Sequence, residues 1–362
     1  MRTTHVLPGV PGILSDAEIA QSAAYLSSLQ LPSGLVPWFS GAHSDPWNHV
    51  ESAMALTITG HLGDAAAAYD WMALHQLGDG SWFNYYCAHN VKDARLDTNV
   101  CAYVATGVFH YLLATGDVDT VALWWPMVER AMDFVVRFQR TDGSFAWSLD
   151  ASGRVEKYAL LTGSSSIFHA LRCAVALAER LDIHRPAWEL ATGRVGHALV
   201  NHREAFADKD EFAMDWYYPV LSGALVGERA RERIEGQWSR FVMEEYGVRC
   251  VSRTDWVTAA ETCEAVLSLD ALGMDAKALE LLALTNRHRR PDGSYVTGIA
   301  YPQGVTFPHD ETTSYTLAAV LLAVDAVTDA SGAAGLFRHG VLSETLDWPE
   351  PGCVQKIFVS GE

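Results

Sequence analysis

The chain has 362 residues, 49% of them hydrophobic, with a formal net charge of -18 and a pI near 5.1. That hydrophobic share provides for a large core and argues against disorder over most of the chain. The acidic balance argues against nucleic acid, whose phosphates require a basic face, and against anionic membrane surfaces.

No run is apolar enough to span a bilayer, and residues 1–14 lack a basic stretch followed by a long apolar one. The six cysteines, Cys87, Cys101, Cys173, Cys250, Cys263 and Cys353, form no CxxC pair. They are expected to be free thiols in a reducing compartment, which places the protein in the cytoplasm. There is no GxxxxGK phosphate loop, Rossmann fingerprint, HExxH or Cys/His cluster, so no cofactor and no metal is expected.

In chain order, residues 15–30 form an amphipathic segment that ends at Gln30-Leu-Pro-Ser-Gly34, with Trp38 behind it. Asp45-Pro-Trp-Asn-His-Val-Glu51 then opens a segment, 53–60, that is apolar nearly all round, as expected of a helix buried on every side. Gln76-Leu-Gly-Asp-Gly-Ser-Trp82 supplies an Asp-Gly turn and an aromatic able to pack back on the helices. Asp97-Thr-Asn99 precedes a second all-round apolar segment, 102–115. Residues 121–139 carry charge on one face, and Gln139-Arg-Thr-Asp-Gly-Ser-Phe145 repeats the turn. Thr162-Gly-Ser-Ser-Ser166, Asp215-Trp-Tyr-Tyr218 and Asp255-Trp-Val-Thr258 open further small-residue or apolar segments. These alternate with amphipathic stretches at 188–202, 229–245 and 276–289. A third strong copy of the turn, Arg289-Arg-Pro-Asp-Gly-Ser-Tyr295, leads to His309-Asp-Glu-Thr-Thr313 and a last apolar segment, 317–327. Each of the six openings fits an N-cap signal ahead of an apolar helix.

This alternation predicts an all-α fold, an (α/α)6 toroid of six inner and six outer helices, as one domain over residues 1–362. The tail from about residue 332 lacks periodicity and is expected to wrap the outside. A ring of six hairpins places all inner N-termini at one mouth.

Gln76-x-x-x-Gly-x-Trp82 resembles the repeat motif of squalene and terpenoid cyclases and related prenyltransferase-like proteins. The chain as a whole resembles actinobacterial proteins labelled prenyltransferase on that basis. The resemblance implies the toroid. The chemistry of those families is not matched: there is no Asp-x-Asp-Asp run, Asp255 is followed by Trp256 and Val257 in place of a zinc-binding Asp-x-Cys, and no aspartate-rich magnesium motif occurs.

A second resemblance is to six-hairpin, glucoamylase-like glycosidases. It rests on Asp97-Thr-Asn99 with Asp117, Trp-Trp-Pro126 and Asp133, on Ser164 to Ala178, and on Met214-Asp-Trp-Tyr-Tyr-Pro219. Those enzymes place an acid Glu after a Trp before the third inner helix, but here Trp147 is followed by Ser148. Their base Glu falls near residues 297–301, where this chain has no carboxylate. The resemblance therefore implies the fold without its standard catalytic pair.

If the ring forms, its mouth gathers candidate catalytic groups Glu51, Glu261, Asp97, Asp310 and Glu311. Substrate-binding groups there are Trp47, His49, Asn99, Asp215, Trp216, Tyr217, Tyr218, Asp255, Trp256 and His309. Crowded carboxylates drive their pKa values apart, so that one can act as acid and another as base. Asp97, Asp215 and Asp255 fit equally as N-caps. Glu51 and Glu261 lie about a turn inside apolar helices, where a carboxylate without a role is costly. Many carboxylates among aromatics suit a sugar-like, hydroxylated small molecule handled by acid–base chemistry. The alternatives are an isoprenoid enzyme, as the repeat motif suggests, and a non-catalytic binding toroid.

Overall fold

The structure, a computed structural model, describes residues 7–342. Helices alternate between an outer and an inner layer. Outer α1 (Asp16–Leu29) pairs with inner α2 (Pro46–Ile58), outer α3 (Leu62–His75) with inner α4 (Thr98–Thr115), and outer α5 (Val118–Val136) with inner α6 (Leu161–Arg180). Outer α7 (Pro186–Asn201) then pairs with inner α8 (Ala213–Leu221). Outer α9 (Gly227–Gly236) and the short α10 (Trp238–Phe241) precede inner α11 (Ala259–Ala271), and outer α12 (Asp275–Leu284) precedes inner α13 (Ser314–Thr328). Each inner helix packs on the next, and α13 returns to α2, so the ring closes. The expected all-α (α/α)6 toroid is therefore observed.

The inner helices form because their residues are apolar on all sides: α4 buries every residue from Thr98 to Leu112. The repeated turns then lock each outer helix to the next one. The Gln76 amide donates to Gly80 O at 3.0 Å, closing its own turn, and to Met127 O of α5 at 2.9 Å. Gln139 does the same with Gly143 O (3.1 Å) and Ala191 O of α7 (2.8 Å), and Gln30 with Gly34 O (2.9 Å) and Asp64 O of α3 (2.8 Å). Gly80 has φ +96°, and a Cβ there would lie 2.1 Å from the Arg130 carbonyl, so only glycine lets the turn reach α5. Trp82 and Phe145 pack back into the core, 0% and 1% exposed. In the copy starting at Arg289, the guanidinium replaces the glutamine amide and donates to Gln21 Oε1 of α1 at 2.6 Å.

Four expectations are corrected. Residues 229–245 do not form one helix. The run Gly227–Gly236 buries only Ala230 and Ile234, too thin an apolar stripe to carry the helix past Gly236. Asp215 lies inside α8 and caps nothing, whereas Asp97 caps α4 as expected. Asp255 is followed by a strand, Trp256–Thr258, so Thr258 rather than Asp255 holds the position ahead of α11. Finally, the described part of the tail, residues 332–342, does not wrap the outside; residues 343–362 lie outside the described residues. The described part crosses the end of the ring opposite the inner N-termini, where Phe337 stacks on His169 of α6 at 4.8 Å. There Arg338 forks onto Asp270 (2.8 and 3.0 Å) and caps Ala326 O at 2.7 Å.

The mouth loops carry short antiparallel ladders that the sequence did not announce. These are β1 (Tyr85–Tyr86) with β2 (Val91–Asp93), β3 (Leu96–Asp97) with β4 (Ser148–Leu149), and β5 (Val242–Met243) with β6 (Gly247–Val248). A three-stranded ladder joins β7 (Trp256–Thr258), β8 (Gly298–Ala300) and β9 (Val305–Thr306). Five cysteines, Cys87, Cys101, Cys173, Cys250 and Cys263, are free. Cys353 lies outside the described residues. Among those residues no helix is long and apolar enough to cross a membrane.

The clamp turns should be stability determinants. Gly80→Ala is expected to cost ~2–4 kcal/mol, from the positive φ and the forced clash with α5. Gln76→Ala is expected to cost ~1–3 kcal/mol by leaving two carbonyls unpaired. Chemical denaturation of the two variants checks both, and a loss under 0.5 kcal/mol (about the noise for a surface change) at either position would contradict the clamp.

Candidate active site

The inner N-termini converge on a mouth containing two adjoining cavities of about 300 and 340 Å³ that share Trp47, Asp97, Val100 and Trp147. Asp45 caps α2: its Oδ1 accepts from the Asn48 backbone N–H (3.0 Å) and its Oδ2 from the Trp38 indole (2.8 Å) and the Asn48 amide (2.6 Å). Burial raises its pKa against those donors. Asp97 accepts the N–H groups of Asn99 (2.9 Å) and Val100 (3.1 Å). Burial pushes its pKa up to about 6, although the backbone donors and the Trp147 indole oppose this. The β3–β4 pairing sets Ser148 opposite Asp97, and the Thr98 N–H bonds Trp147 O at 3.0 Å, which holds Trp147 beside the capping aspartate.

Below this rim lies a cluster of glutamates. Trp47 and Glu51 share one face of α2, four residues apart. The Trp47 ring lies 5.2 Å from Tyr103 and 5.9 Å from Tyr218. Glu51 is 8% exposed. Its pKa is raised well above the carboxylate range, first by burial and then by the charges of Glu264, Asp45 and Glu261. Glu264 of α11 accepts hydrogen bonds from the Tyr217 hydroxyl and, at 3.0 Å, from the Tyr218 hydroxyl. Burial pushes its pKa up to about 8, the tyrosine donors opposing and Glu261 adding. Glu261, half-buried one turn earlier on α11, accepts from the Thr258 hydroxyl. Glu51 and Glu261 are thus brought into electrostatic reach of one another across the ring.

The other expected residues divide. Asn99 and Asp215 line the second cavity, with Asp215 Oδ1 accepting from the Thr162 hydroxyl at 2.7 Å. Tyr217 and Tyr218 hold Glu264. Glu311 accepts from the Thr297 hydroxyl at 3.2 Å and lies near Tyr315, whose pKa is raised first by burial and then by the charges of Glu261 and Glu311, and whose ring packs on Trp38 at 5.2 Å.

The rest are corrected. His49 has no nitrogen left for a ligand: Nδ1 accepts from Val36 N–H at 3.0 Å and Nε2 meets Ala68 O at 2.9 Å. Trp216 is core, 1% exposed, stacked on Phe241 at 5.2 Å with its indole on Arg233 O at 3.2 Å. Asp310 is turned out to solvent and paired with Arg290 at 2.5 Å, with the exposed His309 beside it. Asp255 is exposed and pairs with Arg249 at 3.5 Å, while the Trp256 indole is tied to Phe307 O at 2.9 Å. These four sit on the outer ladder because β7 and the loop after β9 swing them away from the inner helices.

Sequence reasoning missed Glu264, although its i,i+3 spacing from Glu261 puts both on one helix face. It also read Asp45 only as a helix start. Among the described residues no group of three or more His, Cys, Asp or Glu converges to hold a metal ion.

The buried glutamates have a consequence for stability. Glu264 has a folded value of about 8 against an ordinary 4.5, so between these limits the folded state binds more protons than the unfolded one. Stability from this group is therefore lost as pH rises through the window. His49 and His288, held down at about 4, and His110 and His169, held down at about 3, have the opposite sign, but their window closes at the ordinary histidine value of 6.5. The melting temperature should thus fall from pH 6.5 to pH 8, and Glu264→Gln should make that slope shallower. Calorimetry across this range checks it, and an unchanged slope in the variant would contradict the assignment.

No protein-family model matches the chain. It is 49% identical over 341 residues, 94% of each chain, to the MMP endo-(1,4)-3-O-methyl-alpha-D-mannosidase of Mycolicibacterium hassiacum. Among solved structures it is similar to a glycosidase in complex with glucose, with a TM-score of 0.68 at 12% identity over 87% of this chain and 98% of that one. It is also similar to D-mannose isomerase, with a TM-score of 0.64 at 10% identity over 85% and 96%. At those identities the likeness shows the fold alone, an all-α toroid. The isoprenoid alternative is corrected: the relative is a mannosidase, and the Gln-x-x-x-Gly motif serves here as a clamp between helices, a scaffold device without chemistry. The chain belongs to the family of this endo-(1,4)-3-O-methyl-α-D-mannosidase.

Proposed function

We propose that the protein is an endo-acting glycoside hydrolase that cuts (1,4) linkages between 3-O-methyl-α-D-mannosyl units, with Glu51 as the proton donor and Glu261 as the partner carboxylate. The cluster of Glu51, Glu261 and Glu264 beneath Trp47 carries this reading. Burial and the neighbouring carboxylates raise the Glu51 pKa and so favour its protonated form, the state a general acid needs. Glu51 passes that proton to the glycosidic oxygen as the bond to the anomeric carbon breaks. Glu261, oriented by Thr258, either takes a proton from the attacking water or attacks the anomeric carbon itself. Glu264 does not meet the sugar. Its charge state, set first by burial with the Tyr217 and Tyr218 hydroxyls opposing, tunes Glu51. The two cavities share Trp47, Asp97, Val100 and Trp147, an arrangement that supports a chain lying on both sides of the scissile bond, as an endo cut requires.

Glu51→Gln and Glu261→Gln should each lower kcat on a (1,4)-linked 3-O-methyl-α-D-mannose oligosaccharide by ~10³-fold or more while leaving circular dichroism and melting nearly unchanged. Asp97, at the junction of the cavities with a pKa of about 6, is the second candidate for the acid. Asp97→Asn keeps the helix cap and should reduce kcat by less than tenfold (under ~1.4 kcal/mol). Loss of turnover in Asp97→Asn with activity kept in Glu51→Gln would transfer the acid role to Asp97. Full activity in all three variants would reject the reading.

A further inference from the structure

The two cavities at the mouth differ in chemistry. The one beside Asp45 presents Asn48, Asn84 and Arg95. The other is walled by Tyr158, Phe212 and Met214, with the Tyr158 ring 5.5 Å from Trp147 and tilted 33° to it. The Lys209 ammonium lies 5.8 Å over the Phe212 ring, and Phe212 remains half-buried between α8 and the mouth. At the base of this apolar wall are Asn99 and Asp215, only 5% and 4% exposed. Asn99 Oδ1 has no hydrogen-bond donor among the described residues. Both oxygens of Asp215 are engaged, Oδ2 in an ion pair with the Arg203 guanidinium at 3.7 Å and Oδ1 with the Thr162 hydroxyl at 2.7 Å.

An unpaired acceptor such as Asn99 Oδ1 beside apolar side chains is costly unless something donates to it. A fully apolar ligand would leave it unpaired. A sugar rich in free hydroxyls would set polar groups against Phe212 and Met214. A (1,4)-linked 3-O-methyl mannose has the matching pattern, a methyl ether at C3 next to a free hydroxyl at C2.

We propose that the cavity walled by Tyr158, Phe212 and Met214 is the subsite that selects the methyl ether, with Asn99 accepting from the hydroxyl beside it. This rests on the hydrolase reading above and adds the place where the substrate's methylation is read. Removing the methyl group leaves part of the wall uncovered and puts a hydroxyl where no partner waits. Pockets of this kind discriminate by roughly 10- to 200-fold for one methyl-sized group.

The test compares (1,4)-linked α-D-mannose oligosaccharides of equal length with and without 3-O-methyl groups. Both kcat/KM and binding are measured, the latter by tryptophan fluorescence in the Glu261→Gln background. Wild type should prefer the methylated chain by at least ~10-fold in both readouts. The Phe212→Ala, Met214→Ala double variant should narrow that ratio to within ~3-fold. If circular dichroism shows the double variant to be unfolded, Met214→Gln, which keeps the volume and adds a polar group, should narrow the ratio in its place. Equal cleavage and binding of the two chains by wild type would overturn the subsite while leaving the hydrolase reading intact. Preferential binding of the methylated chain with no cleavage of either would overturn the hydrolase reading while upholding the subsite. A preference unaltered in the wall variants would overturn the assignment to this cavity.

Discussion

The mouth depends on ring closure. α13 packs back on α2, and each Gln–Gly turn ties one outer helix to the next, so six inner helices must begin at the same end. The constraint is steric as much as energetic. At Gly80 the turn comes so close to the Arg130 carbonyl that no side chain fits between them. Once the ring is closed, the inward-facing side chains on the first two turns of α2, α4 and α11 lean toward the mouth, because helical side chains lean toward the N-terminus.

That geometry forces the carboxyl groups together out of water. Asp45, Asp97, Glu51 and Glu264 all have raised pKa values, and burial is the leading cause for each. A protein selected for stability alone would place apolar side chains here. The tyrosine hydroxyls on Glu264 and the capping donors on Asp45 and Asp97 offset part of the cost, whereas among the described residues no hydrogen bond reaches the Glu51 carboxyl group. The protonated state favoured at Glu51 follows from this arrangement, and it is the feature that connects the fold to glycoside chemistry.

The layers of the toroid were legible because an inner helix must be apolar on every side and an outer one on a single face. α2, α4 and α13 could be read directly from that contrast, and the turn copies at Gln76 and Gln139 marked where outer gives way to inner. The site was legible less evenly. Glu51 and Glu261 stood out as charges inside apolar runs, a local signal. Glu264, in the same run, was passed over because its partners Tyr217 and Tyr218 come from α8, distant in sequence. His49 and Trp216 looked available only because their partners, Ala68 O, Val36 N–H and Arg233 O, are backbone groups of other segments. Asp310 and Asp255 looked like members of the mouth because of their position ahead of an inner helix, yet the ladder of β7, β8 and β9 carries them outward.

By itself, the sequence determined the helix periodicity, the six-fold alternation and the aspartate caps at Asp45 and Asp97. These depend on interactions within a few residues of one another, or on a hydrophobic pattern that repeats along one element. Only the tertiary structure decided which carboxylates share a cavity, which hold protons and which face solvent. Those outcomes depend on burial and on charges contributed by α2, α8 and α11 together, and neither quantity exists until the ring has closed.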